Sequence, residues 1–257
     1  MKAVRLHKFH SAPVIDEVPD PVISHPLDVI VRIGGAGVCR TDLHIIEGQW
    51  DSRMGTPLPY ILGHENAGWV SEVGSAVTNV AVGDTVILHP TPTCGLGHIG
   101  VQCLAALSAT RIIVVDRNPD ALKLAGQLGA GHTVVADGTH VDAVKDLTGG
   151  NGAHVVLDFV AEQGAEMDAW DMTAPGGSDF VIGYGGTITI PTLDIISTER
   201  NIIGNIVGTY NELAELMALA QAGKVTLHTR PYPLTAAPDA LADLDAGRVR
   251  GRAILVP

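Results

Sequence analysis

The stretch RIIVVDRNPDALKLAGQLGAGHTVV, residues 111–135, decides the fold. It contains an apolar run at Arg111–Asp116, a helical pattern over Pro119–Leu128 and a second apolar run at His132–Val135. Strands that are apolar along nearly their whole length and alternate with helices are typical of a parallel sheet covered on both faces. The stretch therefore predicts an α/β domain with a parallel sheet.

The same alternation continues towards the C-terminus. A helical pattern at Val141–Leu147 is followed by apolar runs at Ala153–Asp158 and Phe180–Ile182. Residues Asn211–Ala222 (NELAELMALAQA) have the pattern of an amphipathic helix, with Asn211 as the expected N-cap. We predict that this α/β domain covers residues 95–225.

Residues 1–94 have a different pattern, in which short β-rich runs are separated by glycine and proline. Three of these runs are Asp28–Ile33, Gly68–Val73 and Asp84–Leu88. Such runs are typical of a small, partly open β-barrel. Residues 226–257 return to strand-like runs, Thr226–Thr229 and Arg252–Val256, and we assign them to the domain formed by residues 1–94.

The composition limits the partners and the location of the protein. A net charge of −12, from 16 Lys and Arg against 28 Asp and Glu, disfavours nucleic acid and membrane surfaces as partners. The chain start has no apolar run of signal-peptide length, and no run of about 18 apolar residues follows, so we expect a cytoplasmic protein. Three widely spaced cysteines, Cys39, Cys94 and Cys103, favour free thiols or metal ligands over disulfides.

Two segments carry the clearest chemistry, GVCRTDLH at residues 37–44 and GHENAG at residues 63–68. Cys39, His64 and Glu65 offer a thiolate, an imidazole and a carboxylate, which are donors that zinc takes in tetrahedral sites. A catalytic zinc keeps one position open, where a bound hydroxyl loses its proton more readily. The pattern predicts a catalytic metal site, and the alternative is a buried apolar cysteine and a surface His-Glu pair.

In sequence and in order, the two segments resemble the signature of zinc-dependent medium-chain alcohol dehydrogenases. The family fold joins a GroES-like β-rich barrel to a Rossmann-type doubly wound parallel sheet. The resemblance implies one catalytic zinc bound by Cys39 and His64, with Glu65 as a neighbour that can ligate when substrate or water leaves. The implied reaction is hydride transfer between a primary or secondary alcohol and NAD, giving an aldehyde or ketone.

The resemblance also assigns roles in proton transfer. Thr41 corresponds to the hydroxyl that accepts the proton of the alcohol, and His44 to the solvent end of that relay. Asp42 corresponds to a partner that orients a zinc ligand. A polar loop without catalytic function is the alternative for Thr41 and His44.

A second set of residues indicates a dinucleotide site. Gly95-Leu96-Gly97-His98-Ile99-Gly100 opens a helical stretch, and Asp116 follows about twenty residues later at the end of a strand. Because the carboxylate of Asp116 repels a 2′-phosphate, it favours NAD over NADP, although the neighbouring Arg117 weakens this preference. By resemblance, Arg252 approaches the pyrophosphate of the cofactor.

The resemblance is interrupted between about Cys94 and Gly97. Thr93-Cys94-Gly95 resembles the start of the lobe that holds a structural zinc with four cysteines, and since only Cys94 is present we expect no structural zinc. Leu96–Gly100 resembles the end of the glycine turn. The segment that relatives carry between these two points includes the first strand of the Rossmann-type sheet and the third protein ligand of the catalytic zinc.

The missing strand is central in a sheet of order 3-2-1-4-5-6. Losing five buried aliphatic side chains at about 1.5–3 kcal/mol each would cost roughly 8–15 kcal/mol. That loss is comparable to the net stability of a whole domain, about 5–15 kcal/mol. We therefore expect either that another segment replaces the strand, with Val86–Leu88 as the candidate, or that the sheet is compromised.

Other functions remain open at this point. One is a catalytically impaired derivative that retains only part of the zinc or nucleotide binding, and another is a zinc-independent quinone or enoyl reductase of the same architecture. A pure interaction module is the simplest alternative. Ile202–Thr209 resembles the edge strand through which relatives associate, which implies a homo-oligomer.

Overall fold

The computed structural model describes residues 1–51, 55–88 and 97–257. The chain divides into two compact units, Met1–Thr93 with His228–Pro257, and Cys94–Leu227. The first unit is mainly β-structure, and the second alternates strands and helices. The expected combination of a GroES-like domain and a Rossmann-type domain is thereby confirmed.

The elements follow in chain order. In the first unit they begin with β1 (Lys2–Leu6), β2 (Val14–Glu17), β3 (Val29–Gly37), α1 (Arg40–Ile46), β4 (Tyr60–Ile61), β5 (Glu65–Val73) and β6 (Thr85–Ile87). The second unit contains α2 (Gly97–Leu107), β7 (Ile113–Asp116), α3 (Pro119–Gln127), β8 (His132–Val135), α4 (His140–Leu147), β9 (Ala153–Asp158), α5 (Ala165–Met172), β10 (Thr173–Val181), α6 (Thr192–Thr198), β11 (Asn201–Gly204) and α7 (Tyr210–Gln221). The chain ends with β12 (Thr229–Pro233), a 3₁₀ turn (Leu234–Ala236), α8 (Ala237–Asp245) and β13 (Arg252–Val256). No helix within the described ranges is long and apolar enough to cross a lipid bilayer.

The described residues of the first unit form two sheets. One has the order β2-β1-β4 and the other the order β12-β13-β3-β5-β6. Their core gathers Leu6 of β1, Ala253 and Leu255 of β13, and Ala237 and Ala240 of α8, all buried. The C-terminal strand β13 pairs with β3, which in turn pairs with β5, so one sheet joins β13 to the two segments that carry the predicted metal ligands.

The strands predicted for the first unit are confirmed, and two details differ. The strand expected at Thr226–Thr229 begins at Thr229 and runs to Pro233. Helix α1 was not predicted, because its seven residues are too few to show a clear helical period.

The predicted helices of the second unit also form. In α3, the side chain of Asn118 accepts a hydrogen bond from the backbone N–H of Asp120, and Pro119 begins the helix. The expected N-cap of α7 was wrong by two residues, because Thr209 caps it instead of Asn211. Thr209 and Glu212 form a reciprocal capping box, with the backbone N–H of Thr209 donating to the Glu212 carboxylate at 2.6 Å.

The parallel sheet of the second unit consists of two separate pieces. Strand β7 pairs with β8, and the other piece has the order β9-β10-β11. Among the described residues, no strand joins β7 to β9, which is where the first strand of the family order would lie. Val155 of β9 is 56% exposed, although a central strand of a complete sheet would be buried. Within the described part of the chain the sheet has no such strand, as the sequence predicts.

The hypothesis that Val86–Leu88 replaces the missing strand is wrong. Strand β6 pairs antiparallel with β5, with Gly68 opposite Val86 and Ala67 opposite Ile87. Leu88 also donates its backbone N–H to the carbonyl oxygen of Asn66 at 2.9 Å. The segment belongs to the barrel, because its backbone groups are already satisfied there.

Strand β11 lies at the edge of its sheet, and all four of its residues are exposed. Ile202 and Ile203 within it are 39% and 38% exposed. Apolar side chains on an open strand edge favour pairing with another chain. Self-association through this edge stays a prediction.

Two carboxylates are buried on one face of the β9-β10 pair. Asp179 of β10 pairs with Val156, and Asp158 of β9 pairs with Val181, so both side chains point to the same face. Neither carboxylate oxygen of Asp179, which is 0% exposed, has a hydrogen-bond partner among the described residues. Burial, together with the charge of Asp158, raises the pKa of Asp179 to about 6.

Replacing Asp179 by asparagine is expected to stabilise the protein at pH 8 but not at pH 4. The pKa of Asp179 rises from 3.8 to about 6, which corresponds to about 3 kcal/mol of unfolding free energy. The pKa is higher in the folded state than in the unfolded state. The buried carboxyl therefore does not lower the unfolding free energy below pH 3.8, and it lowers it by the full amount above about pH 6. Urea unfolding at both pH values measures the difference.

Asp171→Asn is the matched control, because it makes the same chemical change at an exposed carboxylate of α5. It should leave the unfolding free energy nearly unchanged at both pH values. An Asp179→Asn variant that is equally destabilised at pH 4 and pH 8 would contradict the raised pKa.

Candidate metal centre

Cys39 lies at the N-cap of α1. Its backbone N–H donates to the carboxylate of Asp42 at 2.9 Å, and its sulfur accepts from the backbone N–H of Thr41 at 3.4 Å. This reciprocal arrangement is a capping box in which a cysteine takes the place usually held by serine or threonine. The cap holds the sulfur in a fully buried position at the start of the helix.

The structure brings the three predicted metal donors together. One ligand atom each of Cys39, His64 and Glu65 lies within 4.8 Å of the other two, and no other group of three such donors occurs in the described parts of the chain. The register of β3 against β5 places Gly37 opposite Glu65. A Cβ atom at position 37 would collide with the Glu65 carboxylate, so the glycine makes room for it.

The imidazole of His64 is oriented by Asp42. Its Nδ1 lies 3.3 Å from Oδ1 of Asp42, which also accepts from the backbone N–H of Gly63 at 3.2 Å. The other ring nitrogen, Nε2, is buried and makes no hydrogen bond to the described residues. A histidine held by a carboxylate on one nitrogen and free on the other is the usual arrangement of a zinc ligand.

The charges around His64 favour a cation. Burial alone would lower the pKa of His64, but Asp42 and Cys39 outweigh it and raise this pKa to about 9. The same negative groups that retain a proton also attract a metal ion. Zinc binding at this nitrogen would therefore release a proton and strengthen with rising pH.

Glu65 is held by Arg252 of β13. The guanidinium contacts both carboxylate oxygens, with Nε donating to Oε2 at 2.7 Å and Nη2 donating to Oε1. The side chains of Arg252 and Glu65 are 10% and 19% exposed. Burial lowers the pKa of Arg252, and the charges of Cys39 and Asp42 oppose that shift. The resemblance places Arg252 near a cofactor pyrophosphate, whereas here its guanidinium orients the carboxylate of the candidate metal ligand Glu65.

The donor set fits zinc. It combines a buried sulfur, an imidazole nitrogen without another partner and a carboxylate, and it leaves one position of a tetrahedral site for a further ligand. Asp42 supplies the outer hydrogen bond that fixes the orientation of His64.

Thr41 and His44 lie three residues apart on α1 and therefore share one face of the helix. They are 3% and 2% exposed. The burial of Thr41 is compatible with a position beside the metal donors. His44, which the resemblance places at the solvent end of a proton relay, is instead buried.

The structure describes some, but not all, of the residues predicted to bind a nucleotide. Gly95 and Leu96 lie outside the described residues, and Gly97 is the first residue of α2. Asp116 ends β7, where its Oδ1 accepts from the backbone N–H of Asn118 at 2.7 Å. The C-terminal ends of parallel strands are the edge at which such sheets bind ligands.

Comparison with known proteins agrees with this architecture. Residues 25–137 match the model of the alcohol dehydrogenase GroES-like domain, and residues 95–222 match that of the zinc-binding dehydrogenases. The crystal structure of the alcohol dehydrogenase from the archaeon Aeropyrum pernix is 32% identical, has a TM-score of 0.97 and covers 100% of both chains. The chain belongs to the zinc-binding alcohol dehydrogenase family. It is accordingly an oxidoreductase of the alcohol dehydrogenase type.

Two curated relatives show how the chain differs from this family. An NAD-dependent alcohol dehydrogenase of Sulfolobus acidocaldarius is 26% identical, and the match covers 99% of each chain. The D-arabinose 1-dehydrogenase (NADP(+)) of Saccharolobus solfataricus is 25% identical over 100% of this chain and 97% of its own. The first alignment spans 344 positions, 87 more than the 257 residues of this chain. The relative therefore has a substantial number of residues without a counterpart here. Cys94, at which the sequence predicts the interruption, lies outside the described residues.

The sequence predicts the three candidate donors but not the contacts that arrange them. The ion pair of Arg252 with Glu65 joins residues 187 positions apart, and the space above Gly37 exists only because β3 and β5 are paired. A glycine directly before the Val38-Cys39 pair was the only available signal for this space, and it is a weak one.

Proposed function

We propose that this protein transfers hydride between a primary or secondary alcohol and NAD, with one zinc held by Cys39, His64 and Glu65. The observation that carries the proposal is the convergence of these three donors, whose ligand atoms lie within 4.8 Å of one another. Nε2 of His64 is buried and has no hydrogen-bond partner among the described residues. A thiolate and an imidazole with an outer carboxylate are what a catalytic zinc requires. A zinc-independent quinone or enoyl reductase would need none of these groups.

Each residue of the centre then has a role. Zinc bound at this site would supply a Lewis acid that favours loss of the alcohol proton, as it does for water, whose pKa falls from about 15.7 to about 7. The hydroxyl of Thr41 would accept that proton and release its own to His44, which lies on the same face of α1. Asp42 holds the ring of His64 in place, and Arg252 holds Glu65.

NAD is the coenzyme that the second unit supports. Asp116 stands at the C-terminal end of β7, where a carboxylate can accept hydrogen bonds from a ribose 2′-OH and repels a 2′-phosphate. One of the two curated relatives is named as NAD-dependent and the other as using NADP(+), so the family name alone does not decide between them. Gly95, Leu96 and Gly97 are proposed to approach the pyrophosphate.

The test is to measure bound zinc and NAD reduction in the same purified preparation. About one zinc per chain is expected, together with NADH formation from a panel of simple primary and secondary alcohols. Removing the metal with a chelator should abolish the activity, and adding zinc should restore it. An inert preparation without zinc excludes the proposal, and activity that survives Cys39→Ala favours the zinc-independent reductase.

A second candidate function is that of an impaired derivative that binds zinc but transfers hydride poorly. The divided sheet of the second unit favours it, because no strand among the residues that the structure describes joins β7 to β9, as one does in a complete sheet of this kind. This candidate predicts bound zinc without enhancement of NADH fluorescence on addition of the protein. The proposed dehydrogenase predicts both signals.

A further inference from the structure

The two pieces of the parallel sheet are connected by a side-chain contact at their C-terminal ends. Arg117 directly follows β7, and Gln163 lies in the turn that follows β9. The guanidinium Nη1 of Arg117 donates to Oε1 of Gln163 at 3.1 Å. This contact lies beside Asp116, the residue proposed to bind the ribose.

The turn that carries Gln163 is held in an uncommon conformation. Ala161 and Gln163 have φ angles of +45° and +58°, which residues other than glycine seldom adopt. Asp158 stabilises the turn, because its Oδ1 accepts the backbone N–H groups of Val160 at 2.9 Å and Ala161 at 2.8 Å. The amide of Gln163 is thus presented by the backbone before any ligand binds.

The contact with Gln163 limits the availability of the Arg117 guanidinium for binding a phosphate. Arginine is the side chain best suited to bind a phosphate through paired hydrogen bonds, and Arg117 stands next to the residue that would meet a 2′-phosphate. The oxygen of Gln163 competes with such a phosphate for the N–H groups of Nη1. An arginine that is hydrogen-bonded to a neighbouring side chain is less available to offset the repulsion between Asp116 and a 2′-phosphate.

We propose that Gln163 is a specificity-determining residue that favours NAD over NADP by holding Arg117 away from the 2′ position of the ribose. The proposal rests on the proposed function, because it assumes that the second unit binds a nucleotide beside Asp116. It assigns Gln163 an effect on the choice between two coenzymes, which a purely structural role would not have.

The experiment compares the affinities of 2′,5′-ADP and 5′-AMP by isothermal titration calorimetry. In Gln163→Ala, the affinity for 2′,5′-ADP relative to 5′-AMP should rise about fivefold, which corresponds to the loss of one competing hydrogen bond. Gln163→Glu should lower this ratio, because a carboxylate holds the guanidinium more strongly. Arg117→Ala should change the ratio little, because Gln163 already holds this guanidinium away from the 2′ position. The double variant Arg117→Ala/Gln163→Ala should show no gain.

The outcomes separate this proposal from the proposed function. A ratio that stays unchanged in Gln163→Ala overturns the role of Gln163 while leaving nucleotide binding intact. A ratio that rises as much in the double variant as in Gln163→Ala also overturns it, because the effect would not pass through Arg117. Failure of the unmodified protein to bind either probe overturns both proposals.

Discussion

Cys39→Ala is expected to lower the zinc affinity by more than about 100-fold. Removing a residue that only hydrogen-bonds to a metal ligand lowers the affinity by up to about 100-fold, and removing the ligand itself should cost more. The substitution removes the only thiolate of the cluster, and the remaining carboxylate is already engaged by Arg252. Alcohol oxidation should be lost together with the metal. Zinc content after dialysis and competition with a chromogenic chelator measure the effect.

Two further variants make the zinc result specific. Cys103→Ala removes the other cysteine within the described residues, a half-buried one in α2, and should leave zinc binding unchanged. Asp42→Asn keeps all three ligands but weakens the orientation of His64, so its affinity should fall by about 10- to 100-fold. Equal zinc content in Cys39→Ala and Cys103→Ala would falsify the assignment of Cys39 as a ligand.

Arg252→Leu is expected to destabilise the first unit by about 3–5 kcal/mol, the range found when one partner of a buried ion pair is removed. The carboxylate of Glu65 is 19% exposed and would lose the cation that contacts both of its oxygens. Arg252→Lys should recover only part of this loss, because an ammonium cannot form the paired contacts of a guanidinium. Urea unfolding monitored by circular dichroism measures these differences.

The double variant Arg252→Leu/Glu65→Leu tests the cause of this loss. Replacing both charges by apolar side chains is often close to neutral, so the double variant should be more stable than Arg252→Leu alone. Arg248→Leu is the surface control, because Arg248 pairs with Asp243 while 58% exposed and such pairs contribute about 0–1 kcal/mol. A double variant as unstable as the single one would show that packing of Arg252, and not its charge, stabilises the unit.

The elements that the sequence predicts well are those with a strong local pattern. Strands β8 and β9 have the predicted bounds, because apolar runs between turn residues define a buried strand.

The N-cap of α7 shows where local reasoning fails. Thr209 and Asn211 are both suitable caps, and the decision depends on Glu212, which is three residues after Thr209 and closes the capping box.

The sequence likewise predicts only part of the candidate site. Cys39, His64 and Glu65 follow from residue type and order, since few side chains bind zinc and the two segments each contribute donors of this kind. Their arrangement depends on contacts between distant segments. Strand β13 comes from the C-terminal end of the chain, yet it brings Arg252 to Glu65, and no local pattern predicts that ion pair.

The amino-acid sequence by itself therefore determined the two kinds of domain, the candidate metal donors and the predicted interruption near Cys94, because periodicity, residue chemistry and spacing are local properties. Only the tertiary structure decided that β6 stays in the barrel, that β7 and β9 remain unjoined within the described residues, and that Gln163 contacts Arg117. Each of these outcomes depends on which hydrogen-bonding groups, often far apart in the sequence, are available to pair with each other. That choice is made by the packing of the whole unit, because a donor or acceptor satisfied in one place is not available in another.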